Sequence, residues 1–174
     1  MRHAPPWIRI LSLSLALGSL ASGGESPKQE APSSTYKAKV SGAESFEAGG
    51  DGPRSAGSRR KRSGPEPGER LVVQLRTDLP DEKFELVFAV DVTGRAPDAE
   101  VSTYTLQPLD AVGRWSRSAT DSEFYSDKGT VEVKESNAEH IRGTFDVSGK
   151  CGKRREACRI EGQFDVRREK PTLY

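Results

Sequence analysis

The chain has 174 residues, of which 33% are hydrophobic and 7% aromatic, enough for one domain with its own core. Its net charge is +1, from 27 basic and 26 acidic residues, and turns to −1 once Arg2 and Arg9 leave with the leader described below. Bulk charge therefore excludes a partner chosen by overall electrostatics, whether nucleic acid or membrane, and leaves only local patches.

Residues 1–21 read as a secretory signal peptide. Arg2, His3 and Arg9 form a positive start, Ile10 to Leu17 a short apolar core, and Ser19 and Ala21 satisfy the small-x-small rule for cleavage after Ala21. The apolar run falls well short of the roughly 20 residues that cross a bilayer, so no transmembrane anchor is expected. Leu20-Ala21-Ser22-Gly23 has the outline of a bacterial lipoprotein signal without its cysteine, which leaves no thiol for lipid attachment. The chain is expected to be secreted or periplasmic. Residues 22–34, rich in Ser, Pro, Glu and Gly, read as a flexible leader.

An all-β domain is predicted over 35–174. Tyr36, Ala38 and Val40 alternate as a first strand. Residues 49–69 hold six glycines, three prolines and Arg59-Arg60-Lys61-Arg62, and so predict a disordered loop inside the domain. Alternation returns at Leu71, Val73 and Leu75, then at Phe84, Leu86, Phe88, Val90 and Val92, with a turn at Asp78 to Glu82. Val101 to Leu106 reads as a strand ended by Pro108, and Trp115, Phe124 and Tyr125 lie in an irregular stretch. Gly129 to Lys134 alternates again. No helical period extends beyond two turns.

The sharpest signal is internal. Ile141-Arg142-Gly143-Thr144-Phe145-Asp146-Val147 recurs as Ile160-Glu161-Gly162-Gln163-Phe164-Asp165-Val166, with Ile, Gly, Phe and Val on one face each time. The two cysteines of an exported chain read as one disulfide, Cys151–Cys158, worth roughly 2–3 kcal/mol by loop entropy. Placing Cys151 opposite Cys158 sets Val147 against Gly162, Phe145 against Phe164 and Gly143 against Val166. The fold class is thus a single antiparallel β-sandwich or β-barrel with a C-terminal disulfide-closed hairpin.

Tyr125-Ser126-Asp127-Lys128-Gly129-Thr130-Val131-Glu132-Val133, Ile141 to Phe145 and Ile160 to Val166, together with the Tyr36 to Gly42 strand, resemble bacterial secreted and lipoprotein-type all-β domains of unknown function. The resemblance covers Tyr36 to Val166 and implies an envelope or secreted domain. It carries no activity with it.

Catalytic readings fail on inventory. His140 is the only histidine after the leader and reads as a turn residue beside Glu139; no serine sits in a Gly-x-Ser-x-Gly elbow. Glu85 and Asp91 share a strand face but stand roughly 20 Å apart, too far for one glycosidic bond. Asp146 and Asp165 read as outward positions. Two sulfurs and one histidine do not make a metal set, so no cofactor and no enzyme activity are expected.

Two basic clusters remain. Lys150, Lys153, Arg154, Arg155 and Arg159 surround the hairpin loop and could grip an anionic cell-surface polymer or an envelope protein. Nucleic acid is not expected, since no aromatics interleave with the cations. Arg59 to Arg62 has the pattern of a processing site, with cleavage after Arg62. The leading expectation is an exported, non-enzymatic binding or structural module. Its alternatives are a secreted ligand released by cleavage after Arg62, and a small secreted enzyme with an unrecognised site.

Overall fold

The computed structural model describes residues 33–62, 67–117 and 120–169. The expected signal peptide, its cleavage point at Ala21 and the leader up to residue 32 lie outside the described residues. Ten strands follow in order: β1 (Thr35–Gly42), β2 (Phe46–Asp51), β3 (Ala56–Arg62), β4 (Gly68–Asp78), β5 (Glu82–Asp91), β6 (Ser102–Leu106), β7 (Ala111–Arg117), β8 (Thr120–Ser136), β9 (His140–Cys151) and β10 (Glu156–Arg168). A 3-10 turn, Pro97–Glu100, precedes β6. No helix among the described residues is long and apolar enough to cross a membrane.

All ten strands belong to one sheet, and two long strands close it by changing partners. One edge of β8 runs along β9, while the other pairs first with β7, from Arg117↔Thr120 to Val112↔Tyr125, and then with β6, from Leu106↔Gly129 to Ser102↔Val133. Likewise β10 pairs with β9 on one edge, and on the other with β1 and then with β3. Hydrogen bonding therefore passes through β3, β4, β5, β7, β8, β9 and β10 and returns to β3. The architecture is a barrel, which the strand pattern alone left undecided between sandwich and barrel. Every pairing is antiparallel except the short junction of Arg167 and Arg168 with Ala56 and Gly57.

The interior is filled by the alternating apolar positions of these strands. Phe88 of β5 meets Phe145 and Phe164 across the core at 5.8 and 5.4 Å between ring centroids, and Tyr36 stacks on Phe84 at 5.8 Å. Offset and tilted rings at these separations add to area burial. Tyr36 keeps its hydroxyl satisfied through Thr77 at 2.5 Å, and its burial pushes the phenol up to about 12.

Three expectations require correction. Most of the stretch 49–69 is strand and not loop among the described residues: β2 runs to Asp51, β3 occupies Ala56–Arg62 and β4 opens at Gly68, while 63–66 lie outside the described residues. β3 has almost no apolar side chain to bury, yet its backbone is paired along β4, and Gly57 lies so close under Ile141 that a β-carbon there would sit 2.3 Å from its Cδ1. Ser34, expected in the leader, belongs to the fold: it is 2% exposed, its carbonyl accepts from Gly52 N–H, and its hydroxyl accepts from Arg167 N–H.

The third correction concerns the repeated strands. Phe145 pairs with Gly162, Gly143 with Phe164 and Val147 with Ile160, a register two residues away from one that sets the cysteines face to face. A tight turn over Gly152 to Arg155 causes this, closed by Arg155 N–H donating to Gly152 O at 3.1 Å. Each ring then lies over the glycine opposite, where a β-carbon would come within 2.7 Å of its Cζ. A two-residue shift preserves the inward face, so the core membership read from the repeat survives. It also places Cys151 opposite Glu156 and Cys158 opposite Gly149. The thiols are diagonal neighbours on the inner face, close but not bridged.

Candidate anion-binding surface

The β9–β10 turn gathers the cations singled out in the sequence, with one exception. Lys150 closes the outward face of β9, and Lys153, Arg154 and Arg155 occupy the turn, all exposed. None of them has an acidic partner within ion-pair distance among the described residues. Arg159 does not join them. Its guanidinium forks onto Asp146, at 2.8 and 2.7 Å, and reaches Glu161 at 3.0 Å. That fork holds the Asp146 carboxyl below the usual carboxylate range. Arg159 is thus neutralised in place, whereas the turn cations remain available to an anion.

The sequence missed two members of this surface. A bulge at Asp127 shifts β8 so that Lys128 stands opposite Ser148, two positions along β9 from Lys150. Tyr125 stands opposite Lys150 on one side and Val112 on the other. The Arg155 guanidinium lies 5.5 Å from the Tyr125 ring centroid, a cation–π distance. Tyr125 donates its hydroxyl to Glu123 at 2.8 Å, which raises the phenol above its ordinary value. Only strand pairing assembles these groups, and a bulge leaves no trace in hydrophobic periodicity.

Other polar clusters serve the fold. Glu100 has 0% exposure, and its carboxylate accepts from Arg59 Nε at 2.7 Å, from Ser136 at 2.6 Å and from Arg168. The Tyr104 hydroxyl donates to the Glu100 carbonyl at 2.7 Å. This buried network ties β3, the 3-10 turn, β8 and β10 at one mouth of the barrel. Glu44, between β1 and β2, accepts from Trp115 Nε1 at 2.7 Å and from Ser122. His140, expected in a turn, opens β9 and lies between Glu135 at 2.8 Å and Asp165 at 3.2 Å.

Glu85 is engaged by Arg114 and Gln74, and Asp91 accepts from Thr93 N–H. Burial pushes both thiols above the ordinary cysteine range, so neither has the thiolate character of a nucleophile. Of the Arg59 to Arg62 run, Arg59 turns inward to Glu100, while Arg60, Lys61 and Arg62 are exposed at the end of β3. An outer concavity of about 650 Å³ is lined by Gly49, Gly162, Lys37, Lys39, Glu47 and Glu161, whose charges balance.

No family model, no curated protein and no solved structure matches the chain.

Proposed function

We propose that the protein is an exported, non-enzymatic binding or structural module of the bacterial envelope or extracellular medium, which contacts anionic polymers through the β9–β10 turn. The observation that carries this reading is the set Lys153, Arg154 and Arg155 on a closed four-residue turn with Lys150 beside it at the end of β9, none with an acidic partner within ion-pair distance among the described residues. A paired cation is already satisfied; an unpaired cluster on a rigid support attracts a polyanion without first breaking contacts. The signal-peptide reading of residues 1–21 supplies the export.

In an oxidising exterior the diagonal thiols would close into the Cys151–Cys158 bridge, read as a mass gain on reduction that the doubly Ala-substituted chain lacks. Two rival readings are weaker on physical grounds. Cleavage after Arg62 would cut the chain between β1 and β3 on one side and β10 and β4, with which they pair, on the other, and Tyr36, Ala38 and Val40 are core residues. For the enzyme reading, burial pushes both thiols above the ordinary cysteine range, which argues against a cysteine nucleophile.

The test is retention on a polyphosphate matrix. The protein is expected to elute at moderate salt, and Lys153→Gln/Arg154→Gln/Arg155→Gln together are expected to abolish retention with no change in unfolding midpoint. Equal retention of the triple variant overturns the reading.

A further inference from the structure

We propose that Leu109, Val112 and Tyr125, flanked by Lys128, Lys150 and Arg155, form a foot that seats the protein on an anionic lipid surface. The inference rests on the polyanion reading above and names the polyanion as a layer of acidic lipid headgroups.

Backbone geometry draws attention to this place. Among the described residues, Leu109 and Arg155 are the non-glycine residues with positive φ, +70° and +51°. Both lie beside Tyr125: Leu109 N–H donates to the carbonyl of the neighbouring Ser126 at 3.0 Å, and Arg155 lies over the Tyr125 ring. Leu109 follows Pro108 in a turn closed by Asp110 N–H donating to Gln107 O at 3.1 Å, the position where such a turn favours glycine. A leucine is unfavourable there, and its side chain is not compensated by packing, since the residue is 65% exposed. Val112, 39% exposed, stands opposite Tyr125 and extends the apolar strip.

The chemistry selects the partner. A hydrated polyanion is met by cations alone and gains little from an exposed leucine and valine. A lipid leaflet offers both phosphates at its surface and an apolar boundary beneath them, where Leu, Val and the Tyr ring leave water while Lys and Arg keep their charges at headgroup level. Of the nearby carboxylates, Asp110 is paired with Arg70, Glu123 accepts the Tyr125 hydroxyl and keeps its charge, and Asp127 and Glu156 are exposed, so Lys128, Lys150, Lys153, Arg154 and Arg155 together leave the surface net positive.

The experiment is cosedimentation with vesicles of phosphatidylcholine, with and without phosphatidylglycerol. It uses the chain without residues 1–21, so that the leader's apolar run cannot mimic binding. The protein is expected to sediment with the acidic vesicles and not with pure phosphatidylcholine. Lys150→Gln should weaken this about fivefold. Leu109→Gly is the decisive variant, because it relieves the backbone and so keeps or raises the unfolding midpoint, yet should weaken vesicle binding about tenfold. Unchanged vesicle binding by Leu109→Gly overturns the foot. Retention on polyphosphate without vesicle binding overturns the lipid and leaves the polyanion reading standing. Failure of both rejects both. Self-association that Leu109→Gly abolishes, without vesicle binding, assigns the strip to a second copy and likewise overturns the proposal.

Discussion

Glu100 shows how one buried charge can organise the end of a barrel. Two guanidiniums, a hydroxyl and no water-facing surface surround its carboxylate, so its burial depends on keeping every partner. A buried pair of this kind is weak as a source of net stability but costly to break, because the survivor is left charged and desolvated. Glu100→Gln, close in shape, leaves Arg168 without an anion and Arg59 with only Glu69 at 3.2 Å, and is expected to lower stability by about 3–5 kcal/mol, read as a fall in the urea midpoint. A loss under about 1 kcal/mol would show that the guanidiniums find water instead. Nothing at sequence level marked this residue: Pro97-Asp98-Ala99-Glu100 reads as a polar loop, and its partners come from positions 41 and 68 residues distant.

Among the elements, the β9–β10 hairpin shows both the reach and the limit of pattern reading. The repeated Ile-x-Gly-x-Phe-x-Val was legible because period-two alternation needs no knowledge of the partner strand. Its register was not, because a register depends on how many residues the turn consumes, and Gly152 to Arg155 use four. The glycines fill a packing role within that register. A β-carbon at Gly162 would lie 2.0 Å from the Lys37 carbonyl oxygen and 2.7 Å from the Phe145 ring. The first of these is backbone and cannot turn aside. Gly162→Ala is therefore expected to cost about 3 kcal/mol or more, at the upper end of overpacking, while Gln163→Ala on the outer face should stay within about 0.5 kcal/mol. Thermal midpoints of the two variants check this, and equal midpoints would mean that β1 moves away freely. β3 is the opposite case: its composition says loop, and its pairing with β4 and β10 and the close seat of Gly57 under Ile141 make it a strand.

For the whole molecule, closure makes the N-terminal strands inseparable from the rest. β1 lies on β10 over eight residue pairs, from Thr35↔Asp165 to Gly42↔Cys158, and β3 bridges β10 to β4. A chain nicked after Arg62 is accordingly expected to stay in one piece in native buffer, its two fragments coeluting on size exclusion and separating only in denaturant. Fragments that part in native buffer would revive a released ligand as the functional form. The β7–β8 arm and the bulge at Asp127 were likewise beyond sequence reading, since β8 serves two different neighbours along one edge and its pattern answers to both.

What the sequence determined by itself was the fold class, the inward face of the repeated strands and the basic character of one turn. These follow from side-chain alternation and local charge, which each segment carries alone. The tertiary structure decided closure into a barrel, the register that leaves the thiols diagonal, the burial of Glu100, and the meeting of Leu109, Tyr125, Lys128 and Arg155 on one surface. Each of these depends on which distant segment lies alongside, and that is set by the joint packing of all ten strands.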